Sequence, residues 1–266
     1  MNYFQGKKIW ITGASSGIGE GFVRHLSTID CQLILSSRRK EELERVKSEN
    51  QGAKASFDIE VLDLADSGQI EIVSNKVIEK YNGVDIVIHC GGISQRDRVV
   101  DTSMDVQRRL VEVNYFGTID VTKRTLPKMV ENKFGHQVVV TSVTGIISSP
   151  LRSGYAASKH ALHGYFDALR AEHHADNIAV TLLCPGYIKT NISLNALKGN
   201  GQKQNKMDNA QANGMTVDEL IPICLKAVSK RKEEIYIGGF KEVAGVYLKR
   251  FFPKIFSRAV RKLAVT

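Results

Sequence analysis

Tyr155 and Lys159, four residues apart in Tyr-Ala-Ala-Ser-Lys, are the pair in this sequence best suited to moving a proton. At the start of a helical stretch, that spacing sets both side chains on one face, one turn apart. A phenol with a pKa near 10 is a poor acid–base at neutral pH. An ammonium about 4 Å away, at an effective dielectric near 20, favours the phenolate by roughly 4 kcal/mol, or about three pKa units. That brings a tyrosine into the working range of a general acid–base. The same spacing recurs at Tyr3 and Lys7 and reads there as chance. What separates the two pairs is Ser142, which ends the apolar run Val138-Val139-Val140-Thr141 thirteen residues before Tyr155. Its hydroxyl would sit at the carboxyl end of a strand, where open α/β sheets bind ligands. Ser142 could equally cap a turn, with Thr141 or Thr144 in its place.

A second constellation would hold a cofactor beside that group. The segment Thr12-Gly13-Ala14-Ser15-Ser16-Gly17-Ile18-Gly19 lies between an apolar strand and a helix. Its glycines let the backbone approach a pyrophosphate, and the helix start offers unpaired N–H groups at a positive dipole end. The spacing differs from the common G-x-G-x-x-G, and taken alone it fits a ligand-free tight turn as well. The next strand ends Ser36-Ser37-Arg38-Arg39, with no carboxylate to hold a ribose 2′-hydroxyl. A guanidinium and a hydroxyl suit a 2′-phosphate, so the expectation is NADP(H), with Ser37 and Arg38 as ligands and Arg39 undecided.

The elements that must position these groups alternate along the chain. Strands are expected at 8–12, 31–37, 53–60, 84–89, 137–142 and 178–184, with helices at 17–29, 40–49 and between the later strands. That alternation predicts an α/β, doubly wound parallel sheet, a Rossmann fold covered on both faces. No repeat or linker divides it, so one catalytic domain is expected over 1–240, with a basic amphipathic extension over 241–266. The polar stretch 191–214 is the expected substrate lid. Its apolar anchors are few, chiefly Leu194, Leu197 and Met207, and so it is expected to be mobile without substrate.

In combination, the glycine turn, Asp63-Leu64 after the third strand, Asn114, Ser142, Tyr155 with Lys159, and Pro185-Gly186 followed by Thr190 resemble the short-chain dehydrogenase/reductase family over nearly the whole chain. The resemblance implies an oxidoreductase interconverting a carbonyl and an alcohol by hydride transfer. It makes Tyr155 the proton donor or acceptor and has Ser142 orient the carbonyl oxygen. Lys159 would hold the nicotinamide ribose and lower the tyrosine pKa, and Asn114 would anchor a water that relays protons to Lys159. Asp63 and Leu64 would contact adenine, and Ile188 and Thr190 the nicotinamide carboxamide. Cys90, Gly91, Pro185 and Gly186 would also line the cofactor. One departure is His89-Cys90-Gly91-Gly92, where the family usually reads Asn-Asn-Ala-Gly. It is read as a structural substitution, since ligands that would turn His89 into a metal site are not identifiable. The same holds for His160 with His163 and for His173 with His174.

Bulk properties narrow the remaining classes. Cys31, Cys90, Cys184 and Cys224 form no Cys-x-x-Cys pair, which removes zinc-ribbon and redox motifs and fits a reducing cytoplasm. The N-terminal residues lack the apolar core of an export signal, and no apolar run of about eighteen residues suggests a membrane span. Net charge is +9, and from Lys241 onward seven basic residues stand against one acidic. The body is therefore only mildly basic, without the basic–aromatic groove of a nucleic-acid binder. Val246, Tyr247, Phe251, Phe252, Ile255, Phe256 and Val260 alternate with Lys249, Arg250, Lys254, Arg258, Arg261 and Lys262, with Pro253 set to kink the helix. That pattern suits the inner face of an anionic membrane, or packing on the body or on a second subunit of a dimer or tetramer. Ser94-Gln95-Arg96, Val143, Leu151 and Tyr187 are expected around a small, lipophilic substrate. The competing classes are a nonenzymatic NADP sensor and a membrane-associated protein of the same fold.

Overall fold

The computed structural model describes residues 2–50 and 52–261. Seven strands form its sheet: β1 Lys8–Thr12, β2 Gln32–Ser37, β3 Ser56–Val61, β4 Ile86–His89, β5 Gly135–Val140, β6 Ile178–Pro185 and β7 Glu234–Ile237. Their order across the sheet is β3-β2-β1-β4-β5-β6-β7, and every neighbouring pair is parallel. The order reverses between β1 and β4, which opens a crevice at the carboxyl ends of those strands. This is the expected doubly wound, Rossmann-like sheet.

Ten α-helices connect and cover it: α1 Gly17–Leu26, α2 Lys40–Glu49, α3 Ser67–Tyr81, α4 Met104–Val111, α5 Gly117–Glu131, α6 Ser153–Glu172, α7 Asn209–Ala212, α8 Val217–Ser229, α9 Phe240–Phe251 and α10 Pro253–Val260. The central strands are apolar on both faces because helices cover both. In β1, Ile9 and Ile11 point into one core with Phe22 of α1 and Leu220 and Ile221 of α8. Trp10 points the other way, into a core with Val121 of α5 and Leu162 and Phe166 of α6. All three β1 side chains are fully buried. A one-residue slip would exchange the two faces, so register here is strongly specified.

Several boundaries differ from the sequence expectation. The first helix stops at Leu26, where the Ser27 hydroxyl donates to the Arg24 carbonyl and the chain turns. The third strand begins at Ser56, three residues late, and the fifth ends at Val140, two residues before Ser142. β7 was not expected at all. The tail breaks as its proline dictates: α9 ends at Phe251, Phe252 leaves helical geometry, and Pro253 starts α10 at a first-turn position. Lys262, counted among the basic tail residues, lies outside the described residues. No helix among the described residues is long and apolar enough to cross a membrane.

Candidate active site

The glycine turn packs close against its neighbours at the β1–β4 crevice. Gly13 has φ +68°, and a Cβ there would lie 2.7 Å from the Gly91 nitrogen on the facing turn after β4. A Cβ on Gly19 would run into the Gly13 carbonyl oxygen. Ser16 is the N-cap of α1 in extended conformation, and its hydroxyl accepts no capping bond, so the first-turn N–H groups stay open to an anion. At the end of β2, Ser37 accepts from the Arg39 backbone N–H at 3.2 Å, and the Arg39 guanidinium donates to the Ser15 hydroxyl at 3.1 Å. Arg39, which the sequence left undecided, thus reaches the glycine turn, as does Arg45, which donates to the Ser15 carbonyl at 3.5 Å; Arg38 and Arg39 are both exposed. This cradle fits a dinucleotide phosphate, and among the described residues no acidic side chain hydrogen-bonds Ser37 or Arg39.

Tyr155, Lys159, Ser142 and Asn114 come together from three elements, and all are buried. Tyr155 and Lys159 share a face of α6, as their spacing required. Ser142 lies beyond β5 and caps a short turn by accepting from the Thr144 N–H at 3.0 Å, so the capping role and the place at the sheet edge coexist. Asn114 sits in a π-helical turn, Glu112–Phe116, an irregularity frequent at functional sites. Its amide donates to the Ile93 carbonyl at 3.0 Å and to Ser158 at 2.9 Å, and its oxygen accepts from the Ile93 N–H at 2.8 Å.

The electrostatics differ from the sequence expectation. Lys159 Nζ donates to the Val140 carbonyl at the end of β5, at 2.8 Å, and burial lowers its pKa to about 8. Burial raises the Tyr155 phenol, while the facing Ser142 hydroxyl, then Arg152 and Arg96, pull it back down. Two arginine cations, Arg152 and Arg96, thus act on the phenol in addition to the residues the spacing pointed to. Lys159 Nζ and Asn114 Oδ1 instead flank Gly92, 3.7 and 3.2 Å from where its Cβ would stand.

The His89-Cys90 departure has a structural use. His89 Nε2 pairs with Gln137 Oε1 of β5 at 2.8 Å and with the Thr122 hydroxyl of α5 at 3.2 Å, bracing β4 from two sides. Burial lowers the imidazole to about 4 and pushes the Cys90 thiol up. Gly91 donates to the Thr12 hydroxyl at 3.4 Å, and Leu64 packs over it. Asp63 accepts from the Ala65 N–H at 3.0 Å and lies 3.6 Å from Arg109. On the other side, Gly186 donates to the Ile237 carbonyl at 2.7 Å, and Ile188 and Thr190 are tied by Gln211. His163 has neighbours the sequence did not suggest: Cys184 and Glu234 place ligand-type atoms within 4.8 Å of one another and of its ring. Cys184 already accepts from Thr141 at 3.1 Å and donates to Glu234 at 3.5 Å.

The segment 191–214, expected to be a lid with few apolar anchors, also makes polar contacts with the body. Asp208 is fully buried and accepts from Arg96 Nε at 2.7 Å and from Arg152 Nη2 at 3.3 Å. Leu197 exchanges backbone bonds with Ser94 and Arg96 at 2.8 and 2.9 Å, and Gly199 donates to Asp97 at 2.9 Å. Gln95, Arg96, Arg152 and Asp208 therefore wall the site beside Tyr155. Arg152, the residue before α6, was not singled out by the sequence reading, because its non-helical backbone gives it no spacing signal toward Tyr155. Asp208 carries no local signal.

Residues 7–200 match the model of the short chain dehydrogenase family. Among curated proteins, the chain is 42% identical over 251 residues to human dehydrogenase/reductase SDR family member 7, covering 92% of this chain and 74% of that protein. It is 39% identical over 267 residues to an Anopheles gambiae dehydrogenase/reductase SDR family protein 7-like, covering 98% and 84%. Among solved structures, a Burkholderia phymatum short chain dehydrogenase/reductase in complex with NAD shares the fold with a TM-score of 0.82 at 20% identity, over 96% of both chains. A Thermococcus sibiricus alcohol dehydrogenase complexed with 5-hydroxy-NADP matches with a TM-score of 0.74 at 24% identity, over 88% of this chain and 97% of that one. With its glycine cradle at the β1–β4 crevice and its tyrosine, lysine, serine and asparagine gathered beside it, this chain belongs to the short-chain dehydrogenase/reductase family of oxidoreductases.

Proposed function

We propose that the protein is an NADP(H)-dependent reductase or dehydrogenase interconverting a carbonyl and an alcohol on a lipophilic small molecule. The observation that carries the cofactor choice is the end of β2, where Ser37 and Arg39 meet Ser15 and no carboxylate stands among them. A 2′-phosphate would be met there by Arg38, Arg39 and Ser37, and its pyrophosphate neighbour by Ser15, Ser16 and the N–H groups of Gly17, Ile18 and Gly19. Asp63, Leu64, Cys90 and Gly91 would border the adenine side of the crevice, and Pro185, Gly186, Ile188 and Thr190 the nicotinamide side. A bound nicotinamide supplies or accepts the hydride. The protein's own part is protonic and positional: Tyr155 gives a proton to the carbonyl oxygen, or takes one from the alcohol, and Ser142 donates to the same oxygen. Lys159, lowered to about 8, exchanges protons near neutral pH, with Asn114 across Gly92 from it.

A nonenzymatic sensor would have no use for the four polar groups buried together, which favours the enzyme. Val143, Leu151 and Tyr187 supply the apolar side of the substrate space. The second reading, attachment to an anionic membrane, is favoured by one observation: α10 has no buried residue, and Phe251, Phe252 and Ile255 are all more than half exposed. The primary reading is tested by reducing a panel of aldehydes and ketones with NADPH and with NADH. NADPH should be preferred, and Arg39→Asp should raise its KM about tenfold or more while leaving that for NADH nearly unchanged. Equal wild-type use of the two cofactors would overturn the NADP(H) assignment.

A further inference from the structure

Two arginines and one aspartate are buried beside Tyr155, and their charges do not balance. Side-chain exposure is 3% for Arg96, 7% for Arg152 and 0% for Asp208. Arg96 is well satisfied: Nε donates to Asp208 at 2.7 Å, and Nη1 to the Ser94 hydroxyl at 2.7 Å and the Gln95 carbonyl at 2.6 Å. Asp208 is used up as well, its other oxygen accepting from Gln204 at 2.9 Å. Arg152 receives what is left, a single bond to Asp208 at 3.3 Å among the described residues, and its Nε is buried with no partner. A guanidinium offers five donors and keeps its charge in proteins, so this one is underserved.

Its position adds to the imbalance. Arg152 is the N-cap residue of α6, a twenty-residue helix, and its side chain makes no capping bond. A cation there faces the positive end of the helix dipole, the end at which an anion is stabilised. The guanidinium carbon stands over the Tyr187 ring, 5.1 Å from its centroid. The preceding residue, Leu151, holds φ +65°, a conformation that a branched side chain rarely adopts, and its carbonyl accepts from the Asp97 N–H at 3.1 Å. Backbone strain of this kind persists where the surroundings fix a residue in place, and it clusters at functional sites. Arg152 stands at the head of α6, three residues before Tyr155, and its charge is among those that lower the phenol, so its guanidinium lies near the space where a carbonyl oxygen would meet the phenol.

We propose that Arg152 is a substrate-binding residue for an oxoanion, a carboxylate or a phosphate borne by the carbonyl substrate, with Arg96 and Asp208 forming the neutral brace that holds it. This deepens the oxidoreductase reading and rests on it for the placing of the carbonyl. The substrate is then amphipathic, with an apolar body against Val143, Leu151 and Tyr187 and one anionic end. A planar guanidinium with open donors suits either oxoanion bidentately.

The test is equilibrium binding to the full-length protein saturated with NADP+, by calorimetric titration with octanoate, octyl phosphate and octanamide. Octanoate, octyl phosphate or both should bind at least about tenfold more tightly than octanamide, the worth of one charge-assisted bond. A preference for one of the two identifies the anion as carboxylate or phosphate. Arg152→Gln should abolish the preference, and Arg152→Lys should keep part of it. Asp208→Asn, which frees a second guanidinium, should strengthen it, whereas a merely structural role would make both losses act in the same direction. Equal binding of octanamide, or an anion preference that survives Arg152→Gln, would overturn the proposal. Carbonyl turnover is measured beside it: an intact anion preference with no nicotinamide-linked turnover of any carbonyl would sink the oxidoreductase reading and leave the anion site standing.

Discussion

Replacing Lys159 by methionine should make the free protein more stable at neutral pH and less stable at pH 10. Burial lowers this ammonium from an ordinary 10.5 to about 8. Between those values the unfolded chain keeps a proton that the folded chain has lost, so wild-type stability rises with pH across the window. At pH 7 the buried charge costs about 3 kcal/mol; by pH 10 less than about 1 kcal/mol of that cost remains. Against it stands the bond from Nζ to the Val140 carbonyl at 2.8 Å, whose loss leaves a buried acceptor open and costs about 1–2 kcal/mol. Lys159→Met should therefore gain about 1–2 kcal/mol at pH 7 and lose about 1 kcal/mol at pH 10. The nearby Cys90 and Cys184 thiols are pushed up by burial and stay neutral over this range, so they do not offset the change. Urea unfolding of both proteins at pH 7, 8.5 and 10, without cofactor, gives the difference directly. A wild-type-minus-variant difference that does not change with pH would refute the reasoning, because it would mean that Lys159 keeps its ordinary affinity for protons when folded.

Two further outcomes follow from the same physics. His89, lowered to about 4 from 6.5, holds stability that is fully present above pH 6.5 and lost as pH falls toward 4, by about 3 kcal/mol. His89→Asn should remove that share of the acid sensitivity, read as a flatter urea midpoint between pH 6.5 and 4; an unchanged slope would assign the sensitivity elsewhere. On the membrane reading, full-length protein should sediment with anionic but not neutral vesicles, since each basic residue near such a surface contributes about 1 kcal/mol. A chain ending at Phe252 should not sediment; that cut spares Val246, buried in the body, and Lys249, which donates to the Ile146 carbonyl. Equal sedimentation of the shortened chain would place any attachment outside α10.

The parts of the site that were legible in the sequence are those encoded by neighbours along the chain. The β1 turn was readable because glycines are needed where Gly13 faces Gly91 and Gly19 faces the Gly13 carbonyl. Tyr155 and Lys159 were readable because a helix converts a spacing of four into a shared face. What failed depends on contacts between distant segments. The bond from Lys159 to the Val140 carbonyl, nineteen residues earlier, was not legible, because it depends on β5 ending beneath α6. The polar contacts of the 191–214 stretch were not legible, because its anchors were sought among apolar residues. Its main anchor is instead a carboxylate that meets Arg96, 112 residues away in sequence. β7 was missed because only four residues of Glu-Ile-Tyr-Ile pair, on an edge, after a charged run. His89 was read correctly as structural, although its partners Gln137 and Thr122 could be named only from the fold.

The most direct test of the account is Tyr155→Phe, assayed for NADPH-linked carbonyl reduction alongside NADPH affinity by fluorescence titration. The phenol is buried at the sheet edge with Ser142 facing it, and its hydroxyl is the only group the substitution removes. The account predicts that turnover falls by a factor of about a hundred or more, the usual worth of a positioned acid–base, while NADPH binding changes little. A phenylalanine variant that keeps most of the wild-type kcat would contradict it.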